Sequence, residues 1–320
     1  MIGVDLGGTK MMAGVVDTEL RVHARAQRPV PHDAQENVLD AVVEVVEEVR
    51  VASGVEAFAV GFGIPCLIDR TRGVAVMAVN LPLQDLDFEA VMSERLGMPV
   101  FVDNDANVAM LAEHRAGAAR GANHAAMLTV GTGIGGALLI DGALYRGSIG
   151  AAGELGHMVV DEDGPPCQGN CPNHGCLESV ASGTALAREA LRVARGTPDC
   201  ELGRALEAGR TITGALVTEL AHDGDRAARD VVALIGTRLG VGLANLVNML
   251  CPEVLVVGGG VIAAGELLLA PAREVVRSRA LPPGRDLVTI VRTHFGVESG
   301  MLGAAVLALD SLGVAGSWEP

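Results

Sequence analysis

The chain is almost without lysine. Lysine and arginine together number 24 in 320 residues, and Lys10 is the single lysine among them. Arginine serves every other cationic position, so Lys10 reads as a place where a compact ammonium matters and a broad guanidinium would not fit. Aromatic residues make up only 2%, which leaves aliphatic and alanine packing to carry the core. Positive charge is scarce overall. The formal net charge of −15 argues against nucleic-acid or anionic-membrane surfaces, both of which need basic patches. A small anionic substrate is still allowed, because backbone N–H groups can make a site locally positive. The first residues, MIGVDLGGTK, lack the basic stretch and apolar run of a secretory signal. No run of about 18 apolar residues escapes charged or polar interruption, so no membrane span is expected. A cytoplasmic location follows as the default. In a reducing compartment, clustered cysteines read as metal ligands or redox groups before disulfides.

Aliphatic material is plentiful. Hydrophobic residues make up 49% of a chain too long for one typical core and about right for two domains. Residues 1–5 and 11–17 read as strands joined by a Gly-Gly-Thr tip. Valine and leucine spacing predicts a helix over 34–52, with Asp33 as its cap. A buried strand at 58–65, a helix at 87–96, a strand at 99–105 and a helix at 106–118 follow, an alternation that marks an α/β fold. Residues 125–142 repeat the organisation of the N-terminus: apolar strand, Gly/Thr-rich tip, apolar strand. Two such hairpins suggest two related α/β domains facing a cleft, with the boundary in short loops near 105–120. Residues 146–178 are irregular. Residues 184–249 are largely helical, with a long apolar-striped helix near 224–249. A strand at 254–260, a helix at 266–280, a strand at 286–292 and a closing helix at 298–313 complete the chain.

Four stretches carry the chemistry of phosphate and base. In DLGGTK (5–10), Gly7 and Gly8 let the backbone approach a ligand, and successive N–H groups at a tight turn form an anion nest. Thr9 and Lys10 add donors, and Asp5 can hold Mg²⁺ directly or through water. The spacing is not that of a P-loop. VGTGIGG (130–136) and the GGG at 258–260 repeat the glycine-turn theme after strands. VDNDAN (102–107) places two carboxylates and two amides at a strand's C-terminal end, where α/β folds bind ligands. Asp105 suits a base accepting a hydroxyl proton during attack on phosphorus, and Asp103 better suits a cap on the following helix, but the pattern alone does not separate the two carboxylates.

CQGNCPNHGCLE (167–178) concentrates three of the six cysteines within ten residues. GELGHM (153–158) brings Glu154 and His157 close to them in sequence. Cys167, Cys171 and Cys176 with one histidine make a Cys₃His zinc site, and both His157 and His174 are candidates for the fourth ligand. Four protein ligands would leave zinc no open position, so the metal would be structural.

Taken together, DLGGTK, GIP, NDAN, GTGIGG, ELGH, GCLE and the VVGGG strand-turn resemble the ROK family (repressor, open reading frame, kinase), and within it the bacterial glucokinases, along essentially the whole chain. The resemblance implies a two-domain actin-like, Hsp70-like sugar kinase (ASKHA) fold with a cleft between domains. It implies a small α/β domain over 1–115, to which a C-terminal helix at about 299–320 returns, and a large α/β domain with a zinc-binding loop over 116–298. The implied reaction is ATP-dependent phosphorylation of a hexose at the 6-hydroxyl, glucose to glucose 6-phosphate, in which Asp105 is the catalytic base. Asn80, Asn104, Asp105, Glu154, His157 and Glu178 resemble the sugar ligands. Asp5, Gly7, Gly8, Thr9, Lys10, Thr132, Gly133, Gly258 and Gly259 resemble the contacts of Mg²⁺ and ATP. His157, Cys167, Cys171 and Cys176 resemble the zinc ligands, which resolves the rivalry with His174 in favour of His157. The family's first spacing is Cys-x-Cys where this chain has Cys-x₃-Cys, which displaces Cys167. The family commonly has glycine after GIP where this chain has Cys66, so the sugar is read as a hexose before it is read as glucose. The alternatives are a kinase for N-acetylmannosamine, N-acetylglucosamine, fructose or allose, and a non-catalytic sugar sensor. Polyphosphate stands beside ATP as a donor. A homodimer or homotetramer is implied. Some members of the family are repressors with an N-terminal winged helix; this sequence opens on the first hairpin strand, so none is expected, and with the acidic charge no DNA binding is expected.

Overall fold

A computed structural model of the chain describes residues 1–69, 74–78 and 81–314. The chain divides into two compact units, Met1–Asn123 with Ala137–Gly153 and Thr293–Pro320, and His124–Gly136 with Glu154–Arg292.

The first unit is built on strands β1 (Ile2–Leu6), β2 (Lys10–Val16), β3 (Val22–Pro29) and β4 (Val60–Ile64), which form one sheet with the later β8 (Val100–Asn104) in the order β3-β2-β1-β4-β8. The hairpin β1–β2 is antiparallel, and β1, β4 and β8 run parallel. Parallel strands covered on both faces read as continuous apolar runs, and Ile2, Val4, Leu6, Val60, Phe62 and Ile64 are all fully buried. The edge strand β3 instead alternates, with His23 and Arg25 exposed, as an unpaired edge requires. A small antiparallel sheet of β5 (Cys66–Asp69), β6 (Val74–Ala78) and β7 (Gln84–Leu86) follows β4.

Helix α1 (Gln35–Ser53) buries a valine and leucine stripe, Val38, Leu39, Val42, Val45, Val46 and Val49. Asp33 does not cap it. Ala34 occupies the cap without a side-chain bond, because the Asp33 carboxylate accepts the Asn37 Nδ2 at 2.7 Å instead. Helix α2 (Phe88–Leu96) is capped by Asp87, and α3 (Asp105–Ala116) leaves the end of β8 directly.

The unit's last helix, α11 (Ser299–Ser311), is apolar on all sides, and every residue from Ser299 to Leu309 is buried. Its glycine and alanine content explains how it fits. A Cβ built at Gly303 would lie 1.6 Å from the Val108 carbonyl oxygen, and one at Gly61 would lie 1.7 Å from that of Ala304. Backbone therefore packs on backbone between α11, β4 and α3. Glu113 on α3 fastens the entry to this helix. Its fully buried carboxylate accepts the backbone N–H of Ala118, His294 and Phe295 and the Ser299 hydroxyl, at 2.7–3.1 Å.

The second sheet is ordered β11-β10-β9-β12-β13, from β9 (Ala125–Val130), β10 (Ile134–Ile140), β11 (Ala143–Leu144), β12 (Val254–Gly258) and β13 (Thr289–Arg292), and the unit boundary falls inside β10. The second unit's helices are α4 (Leu177–Ala181), α5 (Gly183–Gly196), α6 (Glu201–Glu207), α7 (Gly214–His222), α8 (Arg226–Leu250), α9 (Glu266–Arg279) and α10 (Gly284–Leu287). The strand expected at 286–292 begins only at Thr289, because α10 takes its first residues. By length and mean hydropathy (1.5) α8 could cross a membrane, but 61% of that window is buried inside the protein. It packs as a core helix against α9, α7, α4 and α5, and its Arg238 pairs with Glu189 at 3.0 Å.

Candidate functional site

The first unit places DLGGTK and VDNDAN at one sheet edge. β1 and β8 flank β4 in parallel, so Asp5 on β1 and Asn104 and Asp105 after β8 lie at C-terminal strand ends. The β1–β2 turn is tight: the Gly7 N–H donates to the Lys10 carbonyl at 3.0 Å, and the Val30 N–H to that of Thr9 at 3.1 Å. Gly7 and Gly8 are half-buried, and Thr9 and Lys10 are exposed. Lys10 makes no ion pair among the described residues. Asn80 lies outside them.

The turn from β8 into α3 is dense with hydrogen bonds. Asn104, and not Asp103, caps the helix: its Oδ1 accepts the N–H of Ala106 at 2.9 Å and of Asn107 at 3.3 Å. Asp103 is fully buried. Its Oδ1 accepts the Asn104 N–H at 2.8 Å and the Asn107 Nδ2 at 3.0 Å, and its Oδ2 accepts the Arg146 Nε at 2.7 Å. Asp103 is thereby committed to structure, and Asp105 is the carboxylate left for chemistry. Burial pushes Asp105 above the ordinary carboxylate range, against the Ala106 N–H that its Oδ1 accepts at 2.9 Å. Burial, and then the Asp105 charge, push Asp5 up to about 7. An acid raised that far is poised to accept a proton or a cation.

The second unit gathers its glycine turns and its metal loop. The GTG turn is closed by the Gly131 N–H donating to the Gly133 carbonyl at 2.9 Å. Glu178 Oε2 accepts the Ile134 N–H at 2.7 Å, and a Cβ at Gly133 would stand 2.2 Å from that oxygen. The Thr132 carbonyl accepts the Thr184 hydroxyl at 2.8 Å and the Gln168 Nε2 at 3.3 Å, and the Gly183 N–H donates to the Gly131 carbonyl at 2.7 Å. Gly258 ends β12, parallel to β9, and Gly259 takes a φ of 83° that L side chains rarely adopt.

His157, Cys167, Cys171 and Cys176 come together with their ligand atoms all within 4.8 Å of one another. Cys167 Sγ lies 3.5 Å from His157 Nδ1, and Cys171 Sγ lies 3.9 Å from Cys176 Sγ. A tetrahedral zinc with Zn–S bonds of about 2.3 Å sets its sulfurs roughly 3.8 Å apart, so this donor set fits zinc in both chemistry and spacing. Despite its displaced spacing, Cys167 joins the group. His174 does not: it is exposed, and its backbone bridges Pro166. The other face of the His157 ring turns to Glu154, whose Oε2 lies 3.8 Å from Nε2. Burial and the neighbouring thiols push the Cys167 thiol above its ordinary range, and burial raises Cys176.

Several of these groups escaped the sequence reading. Ser182, Thr184 and Gln168 around the GTG turn were one group. Ser182 caps α5 and accepts Gln168 Nε2 at 3.2 Å, so a serine directly before a helical run was the available signal. Arg146 was the other, and nothing local in the sequence marks it.

Comparison with known proteins bears on all of this. The ROK family model matches residues 1–311. A glucokinase of Streptomyces coelicolor is 36% identical over 314 residues, 97% of each chain. A putative xylose repressor of Caldicellulosiruptor is 33% identical over 288 residues, 88% of this chain and 70% of the relative. The crystal structure of a ROK family glucokinase from Streptomyces griseus in complex with glucose and AMPPNP superposes with a TM-score of 0.88 at 36% identity, covering 96% of this chain and 98% of that one.

Proposed function

Because the chain belongs to the ROK family of the actin-like, Hsp70-like fold, we propose that it is an ATP-dependent sugar kinase that converts glucose to glucose 6-phosphate. The observation that carries this reading is Asp105: a half-buried carboxylate that desolvation pushes above the ordinary range, at the C-terminal end of a parallel strand in the same sheet as the DLGGTK turn. Its glucokinase relatives, one of them solved with glucose and an ATP analogue, support both substrates.

In this reading the sugar 6-hydroxyl attacks the γ-phosphorus of ATP. Its proton passes to Asp105, the bond from the γ-phosphorus to the β,γ-bridging oxygen breaks, and ADP leaves. Positioning and charge neutralisation supply most of the catalysis in such a transfer. Asn104, Glu154, His157 and Glu178, with Asn80, take the sugar hydroxyls. Glu178 Oε2 is committed to the Ile134 N–H, and Oε1, 3.8 Å from Cys167 Sγ, is the oxygen offered to the sugar. Gly7, Gly8, Thr9, Lys10, Thr132, Gly133, Gly258 and Gly259 hold ATP. Mg²⁺ bound with ATP would neutralise phosphate charge, and the raised Asp5 suits a cation partner, which favours its ionised form. His157, Cys167, Cys171 and Cys176 hold a structural zinc, which fixes the His157 ring and the Cys176–Glu178 turn.

Coupled ADP release across a panel of sugars tests the assignment. Glucose is expected to give the highest kcat/KM, with mannose, fructose, allose and the N-acetylhexosamines at least about tenfold lower, the scale that one pocket contact sets. A preference for an N-acetylhexosamine would move the substrate, and sugar binding without ADP release would mark a sensor.

A further inference from the structure

We infer that Arg146 is a positioning residue for phosphoryl transfer: its guanidinium holds Asp103, and Asp103 holds the Asn104–Asp105 corner. The inference rests on the reading of Asp105 as the base.

Arg146 follows β11, 43 residues beyond its partner, and its Nε meets Asp103 Oδ2 at 2.7 Å. The Asp103 side chain is 0% exposed and that of Arg146 25%. A buried carboxylate is tolerable only when paired and hydrogen-bonded. Arg146 supplies the charge, and the other oxygen accepts the Asn104 N–H at 2.8 Å and the Asn107 Nδ2 at 3.0 Å. One side chain thus ties together β8, α3 and the segment after β11. The Asn107 carboxamide shows how firmly that arrangement is kept. Its Nδ2 is aimed at Asp103 although its Oδ1 is left buried without a hydrogen-bond partner among the described residues.

The bonded Asn104 N–H belongs to the peptide that leads directly to Asp105. Without Arg146, the buried Asp103 loses this cation and its hydrogen bond, and a carboxylate that turns toward water instead weakens its hold on Asn104 N–H. The Asp105 carboxylate then loses its fixed origin, and a displacement of about 1 Å at a reacting group costs roughly 100-fold in rate. Arg146 also lines a cavity of about 450 Å³ in the first unit, with Leu111, Arg115, Leu144 and Leu307. That space gives a small guanidinium ion a route to the position Arg146 fills.

The test compares wild type, Arg146→Ala and the double variant Arg146→Ala/Asp103→Asn. In the single variant kcat is expected to fall about 100-fold while the KM for ATP stays within about threefold, the pattern of an interaction that matters to the transition state. Millimolar guanidinium should recover at least about a tenth of the lost kcat, a response that a purely structural lesion lacks. The double variant removes both charges and leaves no orphan, so its thermal midpoint should return toward wild type while its kcat stays low. It also keeps the test decisive should the single variant fold poorly. Recovery of kcat along with the midpoint in the double variant, or a single variant with near-normal kcat, overturns the inference. If wild type itself shows no turnover, or Asp105→Asn turns over normally, the failure lies with the base assignment and not with Arg146.

Discussion

Asp5 and Asp105 share one sheet edge, and burial holds both above the ordinary carboxylate range. For Asp5 the folded value is about 7 against 3.8 for the free group. Between those values the folded protein binds more protons at this residue than the unfolded chain does. Stability therefore falls as pH rises through the window, the reverse of the usual salt-bridged carboxylate. A shift of this size corresponds to on the order of 4 kcal/mol. Asp5→Asn is expected to remove that slope. Urea melts without Mg²⁺ or nucleotide, run from pH 4.5 to 8, should show the variant gaining on wild type as pH rises. A parallel pair of curves would count against the burial argument. Glu113 is the contrasting case: fully buried where Asp5 is half-buried, but with four donors on its two oxygens it anchors structure.

The metal loop is an element whose shape depends on its ligands. It contains little regular structure beyond the backbone bridges Val159–Cys176 and Pro166–His174. Cys167→Ser removes one of the four proposed donors: by metal analysis the wild type is expected to carry about one zinc per chain, and the purified variant well below that. Full occupancy would show that Cys167 is not a ligand. The loop was legible in sequence because its ligands announce themselves by type and spacing, as do the two glycine turns. Spacing alone left His157 and His174 as rivals, the family resemblance chose His157, and the fold gathers His157 with the three thiols and leaves His174 exposed. The β1–β2 hairpin, the β8–α3 corner and α8 were readable from apolar runs. The edge strand β3 and the small sheet β5-β6-β7 were passed over, because short strands rich in polar residues give a weak periodic signal. Asp33 misled as a cap since its carboxylate had a nearer partner in Asn37. The Arg146–Asp103 pair has no local signature, because 43 residues separate the two.

At the scale of the molecule, the two sheets share one plan. A hairpin lies beside a third strand on one side and two crossover strands on the other, ordered β3-β2-β1-β4-β8 and β11-β10-β9-β12-β13. Each opens with a glycine turn between its first two strands, DLGGTK in one and VGTGIGG in the other. The repeat was visible in the sequence as a pattern of apolar strands around glycine tips. Each unit thus has its own tight turn of backbone N–H groups, a local source of positive potential in a chain of net charge −15. All of that machinery serves one proton transfer in the proposed reaction. The most direct test is steady-state ADP release with glucose and ATP for wild type and Asp105→Asn, alongside glucose affinity by calorimetry. The variant is expected to keep glucose binding within a few-fold and to lose at least about 1,000-fold in kcat, the scale on which removal of an essential catalytic group reads. Near-normal turnover in Asp105→Asn would contradict the account.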